Sequence, residues 1–377
     1  MTRTSPRRRR TVAAAALTAL ALAAVACGSD DSSSDTTAAP ATSGAGGGID
    51  AARCDTNKAA GKITYSSSFD FAAAASIVDV VVAKDKGYFD DLCLDVELVP
   101  GFSTSNYPLV TAGTAQFSSA GNFTEILNFS QTGGEYVAFV NYGKEPIEAL
   151  VTPDSGATEL EQLDGKTIGV KGDLPPSIVA LLAEHGLSRG TDYKEILLDG
   201  FDPVSQLASG IDALPVYKSN EPGQLDRAGV SYHLFDPATD DIPGTFGILY
   251  TSKDFYAEHP TVVEDFARAA LKGMEDAIAD PAGAVKLSVA RIDAAGNQNY
   301  LTEEGETFRW EQELQAVLAS TPEGQPVGLI DPDVFRAEYD AYVAAGVWPD
   351  GAPAFTESFA TGPAAAAYGS DGKVIWP

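Results

Sequence analysis

The chain has 377 residues, 25 of them basic and 53 acidic, for a net charge of −28 at neutral pH. A surplus of that size repels nucleic acid and anionic membrane surfaces, so neither is expected as an electrostatic partner. None of the three histidines (His185, His233, His259) falls in a metal-ligand spacing, and no nucleophile elbow, P-loop or Cys-x-x-Cys occurs. No metal or cofactor is expected, and binding is a simpler reading than catalysis.

The first elements read as targeting. Arg3 and the run Arg7 to Arg10 precede the short apolar stretch Thr11–Ala26. A basic start, a short apolar segment and small residues at its end define a secretory signal, and the stretch is too short to span a bilayer. Ala24-Val25-Ala26-Cys27 resembles a bacterial lipobox, with Ala24 where Leu is usual. Residues 1–26 are therefore expected to be a lipoprotein signal peptide and Cys27 a lipidation site, holding the protein at the outer face of the cell membrane. The alternative is a plain cleaved signal. Residues 27–53, rich in Ser, Thr, Ala and Gly, form a flexible tether. Removing the five leader arginines leaves 20 basic against 53 acidic residues. With Cys27 acylated, Cys54 and Cys93 remain as a pair, and a disulfide is expected in an oxidising compartment; the alternative is two buried free thiols.

Lys62–Tyr65 reads as a strand, left through Ser66–Asp70. A helical apolar run follows over Ala72–Lys84, then a strand at Leu94–Val99 and a helix at Asn106–Ala112. Phe117–Ser119 is a strand with Ala120–Asn122 as its exit. Tyr136–Asn141 and Ile147–Thr152 are further strands. A similar order repeats: strand Thr167–Val170, loop Lys171–Pro176, helix Ser177–Glu184, strand Glu195–Leu198, helix Val204–Ser209, and strand Asp212–Val216 leaving through Tyr217–Glu221. Phe246–Thr251 is a strand returning to the first unit. Helices are expected at Pro260–Ala279, Pro281–Ala290, Thr302–Ala319 and Pro332–Ala345, several opened by Pro or Thr. The Ala-, Pro- and Gly-rich C-terminal region reads as a surface arm. Strands alternating with helices imply an α/β fold with mostly parallel sheets, and two such units imply two lobes.

Ligands of open α/β sheets bind beyond the carboxyl ends of the strands. Four exit loops meet that condition: Ser66–Asp70, Ala120–Asn122, Lys171–Ser177 and Tyr217–Glu221. Phe69 and Tyr217 could sandwich a flat ring, with Asp70, Asn122, Asn220 and Glu221 bonding its edge. Ionised carboxylates only accept hydrogen bonds, so this set suits a ligand with N–H groups and suits a sulfonate poorly. The plainer readings are a helix N-cap for Asp70 and for Asn220 and Glu221, core positions for Phe123 and Tyr142, and a solvated loop position for Lys171.

Gly87-Tyr88-Phe89 with Leu94–Leu98, then Leu109–Asn122, then Leu163-Asp164-Gly165-Lys166-Thr167-Ile168-Gly169-Val170 resemble the solute-binding proteins of ABC importers, in the branch similar to SsuA and the NMT1/THI5 family. The resemblance covers roughly residues 62–280. It implies a two-lobed periplasmic-binding-protein-like fold (type II), a ligand cleft between the lobes, a monomer, a small-molecule ligand and an ABC permease as partner. Asp212–Leu225 looks closer to the subgroup that captures thiamine-pyrimidine precursors and flavins, implying an amino-pyrimidine or flavin-like ligand. The alternatives are a sulfonate, taurine or nitrate in the same fold, or an extracytoplasmic enzyme of thiamine-pyrimidine metabolism. The cysteine cluster of the pyrimidine-building enzymes is missing here. On this reading residues 54–150 and 245–377 form lobe 1 and residues 151–244 form lobe 2, with a hinge near Ala149–Pro153 and Pro243–Gly247.

Overall fold

Strand and helix alternate from the start of the folded chain because short apolar runs are cut by glycine, proline and capping residues. The computed structural model describes residues 49–131, 133–296, 301–355 and 358–377. The expected signal segment and the lipidation position Cys27 lie outside the described residues. Helix α1 (Ala51–Ala59) begins on Asp50, whose carboxylate accepts from the Ala52 and Arg53 N–H groups. It is followed by β1 (Lys62–Ser66), α2 (Val78–Asp85), α3 (Tyr88–Asp91), β2 (Asp95–Val99), α4 (Ser103–Thr111), β3 (Phe117–Ala120), α5 (Phe123–Ser130) and β4 (Tyr136–Gly143). The middle of the chain contains β5 (Glu148–Pro153), β6 (Thr167–Val170), α6 (Pro176–Glu184), β7 (Lys194–Leu197), α7 (Pro203–Ala208), β8 (Leu214–Tyr217), α8 (Glu221–Arg227) and β9 (Tyr232–Phe235). The chain ends with β10 (Phe246–Ser252), α9 (Lys253–Glu258), α10 (Pro260–Ala279), α11 (Pro281–Ala295), α12 (Glu303–Ser320), α13 (Pro332–Ala344) and α14 (Gly362–Ala366). Proline in the first turn of α6, α10, α11 and α13 sets φ where no N–H partner is needed.

The architecture is α/β and two-lobed, with a larger sheet ordered β2-β1-β3-β10-β4. The middle of the chain builds β8-β5-β9 and the pair β6-β7, joined by a parallel bridge between Ile168 and Ala213. The mostly parallel pairing expected holds for β2-β1-β3 and β6-β7. Strand β10 runs antiparallel to β3 and β4, and β5 antiparallel to β8 and β9. These are the strands by which the chain changes lobes. They enter each sheet from the cleft side, which reverses their direction.

The first core lies between the larger sheet and helices α2 and α10. Phe266 stacks on Phe117 at 4.0 Å and on Phe89 at 5.0 Å, all three fully buried. Helix α10 reaches α2 closely because Gly273 has no side chain; a Cβ there would stand 2.0 Å from the Asp79 carbonyl oxygen. The second core gathers Leu150, Ile168, Ile178, Leu181 and Leu182, and it takes Tyr342 and Val347 from α13 and the segment after it. Helix α13 thus packs on α6 of the second lobe and on α5 of the first.

The two crossings lie side by side at 144–147 and 241–245. A Cβ on Gly244 would stand 2.7 Å from the Pro146 ring. The first crossing therefore precedes the expected Ala149–Pro153, which forms strand β5 instead. Cys54 of α1 and Cys93 before β2 form a disulfide, with Cα atoms 5.3 Å apart. The C-terminal region is not a surface arm. The Ala138 N–H donates to Ser358 O at 2.9 Å and the Ala360 N–H to Ala138 O at 2.8 Å, so this segment covers the open edge of β4. Ala364, Ala367 and Val374 join the first core. A few small residues pack closely enough to anchor a segment whose low hydrophobicity suggests exposure throughout.

Candidate functional site

The exit of β1 is fixed by hydroxyl and amide side chains. Asn106 on α4 donates to Ser67 O at 2.7 Å and to Ser118 Oγ at 3.0 Å, tying the β1 and β3 exits together. Gly101 fits against this turn because a Cβ there would stand 2.5 Å from Ser66 Oγ. The loop then presents Phe69, whose ring meets Phe102 edge-on at 5.8 Å. Asp70 follows with φ 44°, and its N–H donates to Gly101 O at 3.1 Å. It is not an N-cap, because α2 starts eight residues later.

At the exit of β3, Asn122 caps α5 by accepting from the Glu125 N–H at 2.8 Å. Its amide donates to Glu148 Oε1 at 3.4 Å. Glu148 opens β5, and its second oxygen accepts from Ser177 Oγ at 3.1 Å. One buried carboxylate therefore joins the β3 exit of the first lobe to the start of α6 in the second. Burial pushes its pKa up, against the pull of hydrogen bonds from its own backbone, Ser177 and Asn122.

At the exit of β8, Glu221 is buried and accepts from the Tyr217 N–H at 2.8 Å, with Lys171 of the β6 exit on its other oxygen. Lys171 is thus an ion-pair partner rather than a solvated residue, because β6 and β8 are neighbours at this end. Tyr217 is 42 % exposed. Its hydroxyl is held far above the usual phenol range by burial and by the charges of Glu148, Glu125, Glu221 and Glu313. The same hydroxyl lies 3.8 Å from the place a Cβ on Gly121 would occupy, so a second-lobe residue reaches the β3 exit of the first.

Helix α12 runs along the seam with Glu306, Arg309 and Glu313 on one face, all buried. Glu306 accepts from the Ala73 N–H and Glu313 from the Ala75 N–H, both at 2.6 Å. The other oxygen of Glu313 accepts from Ser219 Oγ at 2.9 Å. Arg309 donates to Asn220 Oδ1 at 2.9 Å, pairs with Glu306 at 3.2 Å and stands 5.6 Å over the Phe69 ring. Burial raises Glu313 to about 7, although hydrogen bonds from Ala75 and Ser219 and the Arg309 charge oppose it.

The structure brings Asn122, Tyr217 and Glu221 into one carboxylate-lined seam and places Phe69 and Asn220 on either side of Arg309. Phe69 faces that guanidinium rather than Tyr217. Asn220 occupies the N-cap position of α8 but makes no side-chain cap bond. Phe123 and Tyr142 are core residues. Sequence reasoning passed over Glu125, Glu148, Glu306, Arg309 and Glu313. A charge opening an apolar strand (Glu148) and a charged i, i+3, i+7 stripe beside the buried Trp310 and Val317 were the available signals.

Residues 74–284 match the model of the family described as NMT1/THI5 like. The chain is 26% identical over 297 residues to a riboflavin-binding protein, RibY, of Chloroflexus aurantiacus, covering 74% of this chain and 81% of that protein. It is 26% identical over 255 residues to a formylaminopyrimidine-binding protein of Halalkalibacterium halodurans, covering 65% and 76%. Among solved structures it resembles the alkanesulfonate-binding protein SsuA of Xanthomonas axonopodis pv. citri, solved with MOPS bound. The TM-score is 0.58 at 17% identity, over 79% of this chain and 98% of that one.

Proposed function

The chain belongs to the NMT1/THI5-like family, and from that premise we propose that it is the extracytoplasmic solute-binding component of an ABC importer. It captures a small flat heterocycle bearing N–H groups, an aminopyrimidine or a flavin, and passes it to a membrane permease. The observation that supports the ligand class is the row of buried carboxylates along the seam, Glu148, Glu221 and Glu313. Each of them already accepts hydrogen bonds within the protein, and a carboxylate with about four acceptor sites has room for a further N–H donor from a ligand. The lobes divide at the crossings 144–147 and 241–245, with Cys27 as lipid anchor. Asn122, Tyr217, Asn220 and Glu221 contact the ligand from the loops, Phe69 stacks on it and Asp70 bonds its edge. The protein binds and releases its ligand unchanged.

A sulfonate ligand, the reading favoured by the SsuA likeness alone, needs a cation free to receive it. Three cations along the seam are already matched: Lys171 with Glu221, Lys218 with Asp236 and Glu145, and Arg309 with Glu306. Calorimetry of the purified protein with hydroxymethylpyrimidine, riboflavin and taurine in parallel tests the choice. Tight binding of one heterocycle and none of taurine is expected. Tight binding of taurine alone would sink the heterocycle reading.

A further inference from the structure

Helix α8 of the second lobe and helix α12 of the first run in opposite directions along each other, and their contacts follow in register. Ser219 Oγ donates to Glu313 Oε1 at 2.9 Å, and Asn220 Oδ1 accepts from Arg309 Nη2 at 2.9 Å. One turn on, Gly223 meets Phe308: a Cβ on Gly223 would stand 2.5 Å from that ring. At the far end, a Cβ on Gly305 would stand 3.7 Å from Arg227 Nη2. Steps of three and four place 220, 223 and 227 on one face of α8, and steps of four place 305, 309 and 313 on one face of α12.

Each helix is rooted in its own lobe. Leu225 of α8 packs with Val151, Leu214 and Val216, whereas Trp310 and Val317 of α12 lie in the core of the larger sheet. Ser320, at the end of α12, accepts from the Lys144 N–H at 3.1 Å, where the chain first changes lobes. The Lys218 N–H donates to Ile147 O at 2.9 Å at the same crossing. The paired faces therefore start beside the crossing and lead away from it. At the helical rise per residue, Phe308 lies about 18 Å along α12 from Ser320, so a small rotation at the crossing parts the outer contacts. The same face of α12 also holds the Ala73 and Ala75 N–H groups of the loop after β1 through Glu306 and Glu313. One helix thus fixes one wall of the cleft and clasps the other.

We infer that the α8–α12 face is a latch that holds the lobes closed before any ligand binds, so that its release gates entry to the cleft. The inference rests on the two-lobed architecture and not on the ligand class. Two hydrogen bonds and one ring against a glycine are enough to bias the lobes together, and too few to weld them. A ligand shifts such an equilibrium only as far as it binds the two states unequally. Apparent affinity also scales with the fraction of protein already in the competent state. A latch built from the chain's own side chains raises that fraction in advance.

Small-angle scattering of protein denatured, dialysed and refolded free of small molecules tests this with no ligand present. Wild-type protein should scatter as calculated for the closed arrangement. Gly223→Leu drives a wedge between the helices and should raise the radius of gyration by about 1 Å, on the roughly 20 Å of a compact chain of this length. Adding Phe308→Ala makes room for the leucine, and the double variant should return to the wild-type value. Ser219→Ala with Asn220→Ala removes the polar half of the face without adding bulk and should expand the protein in the same sense, by less. Thermal unfolding checks that each variant folds, and the alanine pair decides if the leucine wedge does not. Wild-type protein that is already expanded overturns the inference, as does the wild-type radius kept by either folded variant. An expansion that persists when Phe308→Ala is added places its cause elsewhere and also overturns it. Failure to bind any heterocycle, with these scattering results as expected, overturns the functional reading and leaves the latch standing.

Discussion

Two buried regions of this molecule are built from opposite materials. Between α2, α10 and the larger sheet, the interior is Ala, Val, Leu and Phe, closed by the Phe89–Phe266–Phe117 stack. Along the seam between the lobes, the buried groups are Glu148, Glu221, Glu306, Glu313 and Arg309, each holding a loop from one lobe or from both. Burying apolar area stabilises the fold wherever it occurs. Burying carboxylates opposes it unless each is fully bonded. The first region sets stability; the second holds ionisable groups between the lobes.

Substitutions should separate these roles. Phe266→Ala leaves a cavity within a close-packed stack and should cost about 3–5 kcal/mol in denaturant unfolding, with ligand affinity of the folded fraction unchanged. A loss of affinity without loss of stability would show that the two regions are coupled. Replacing Cys54 and Cys93 by Ser releases a link between residues 39 apart. A smaller stability loss, about 2–4 kcal/mol, is expected under oxidising conditions. Reductant should reproduce it in the wild-type protein and leave the double variant unaffected.

Acidification probes the seam directly. Glu125, Glu313 and Glu338, with Asp79 beneath the sheet, are held near about 7 chiefly by burial. Their folded pKa values lie above the unfolded ones. Their stabilising contribution is therefore complete below the ordinary carboxylate range and is lost as pH rises through about 7. His185, raised by Glu161 and Asp240, acts in the same direction, whereas Asp276 and Glu161, lowered by their partners, lose their contribution only at lower pH. The melting temperature of ligand-free protein should thus rise by at least about 3 °C between pH 7.5 and pH 5. A flat or falling profile over that range would contradict the burial assigned to these carboxylates. The smallest effect expected is that of Glu313→Gln, which should flatten part of this profile while changing the melting temperature at pH 5 by no more than about 2 °C.

Much of this fold was legible in the sequence, for reasons the residues make plain. Pro260–Ala279 matches α10 in full, because Pro opens it and its apolar positions keep a single helical face. The repeated strand, loop and helix order located the exit loops, since glycine and capping residues mark them. What escaped was long-range. Lys171 reads as solvated until β8 places Glu221 beside it. The charged face of α12 looks like an exposed one until the loops after β1 and β8 fold over it. The small residues near 360 look exposed until they line the edge of β4. Local pattern states what a segment can become; partners distant in sequence decide which polar groups it buries.

The most direct test is mass spectrometry of the small molecules released on denaturing protein purified without added ligand. The carboxylate-lined seam predicts a flat heterocycle bearing N–H groups, at close to one molecule per chain. Release of a sulfonate or another anion in that proportion would contradict it.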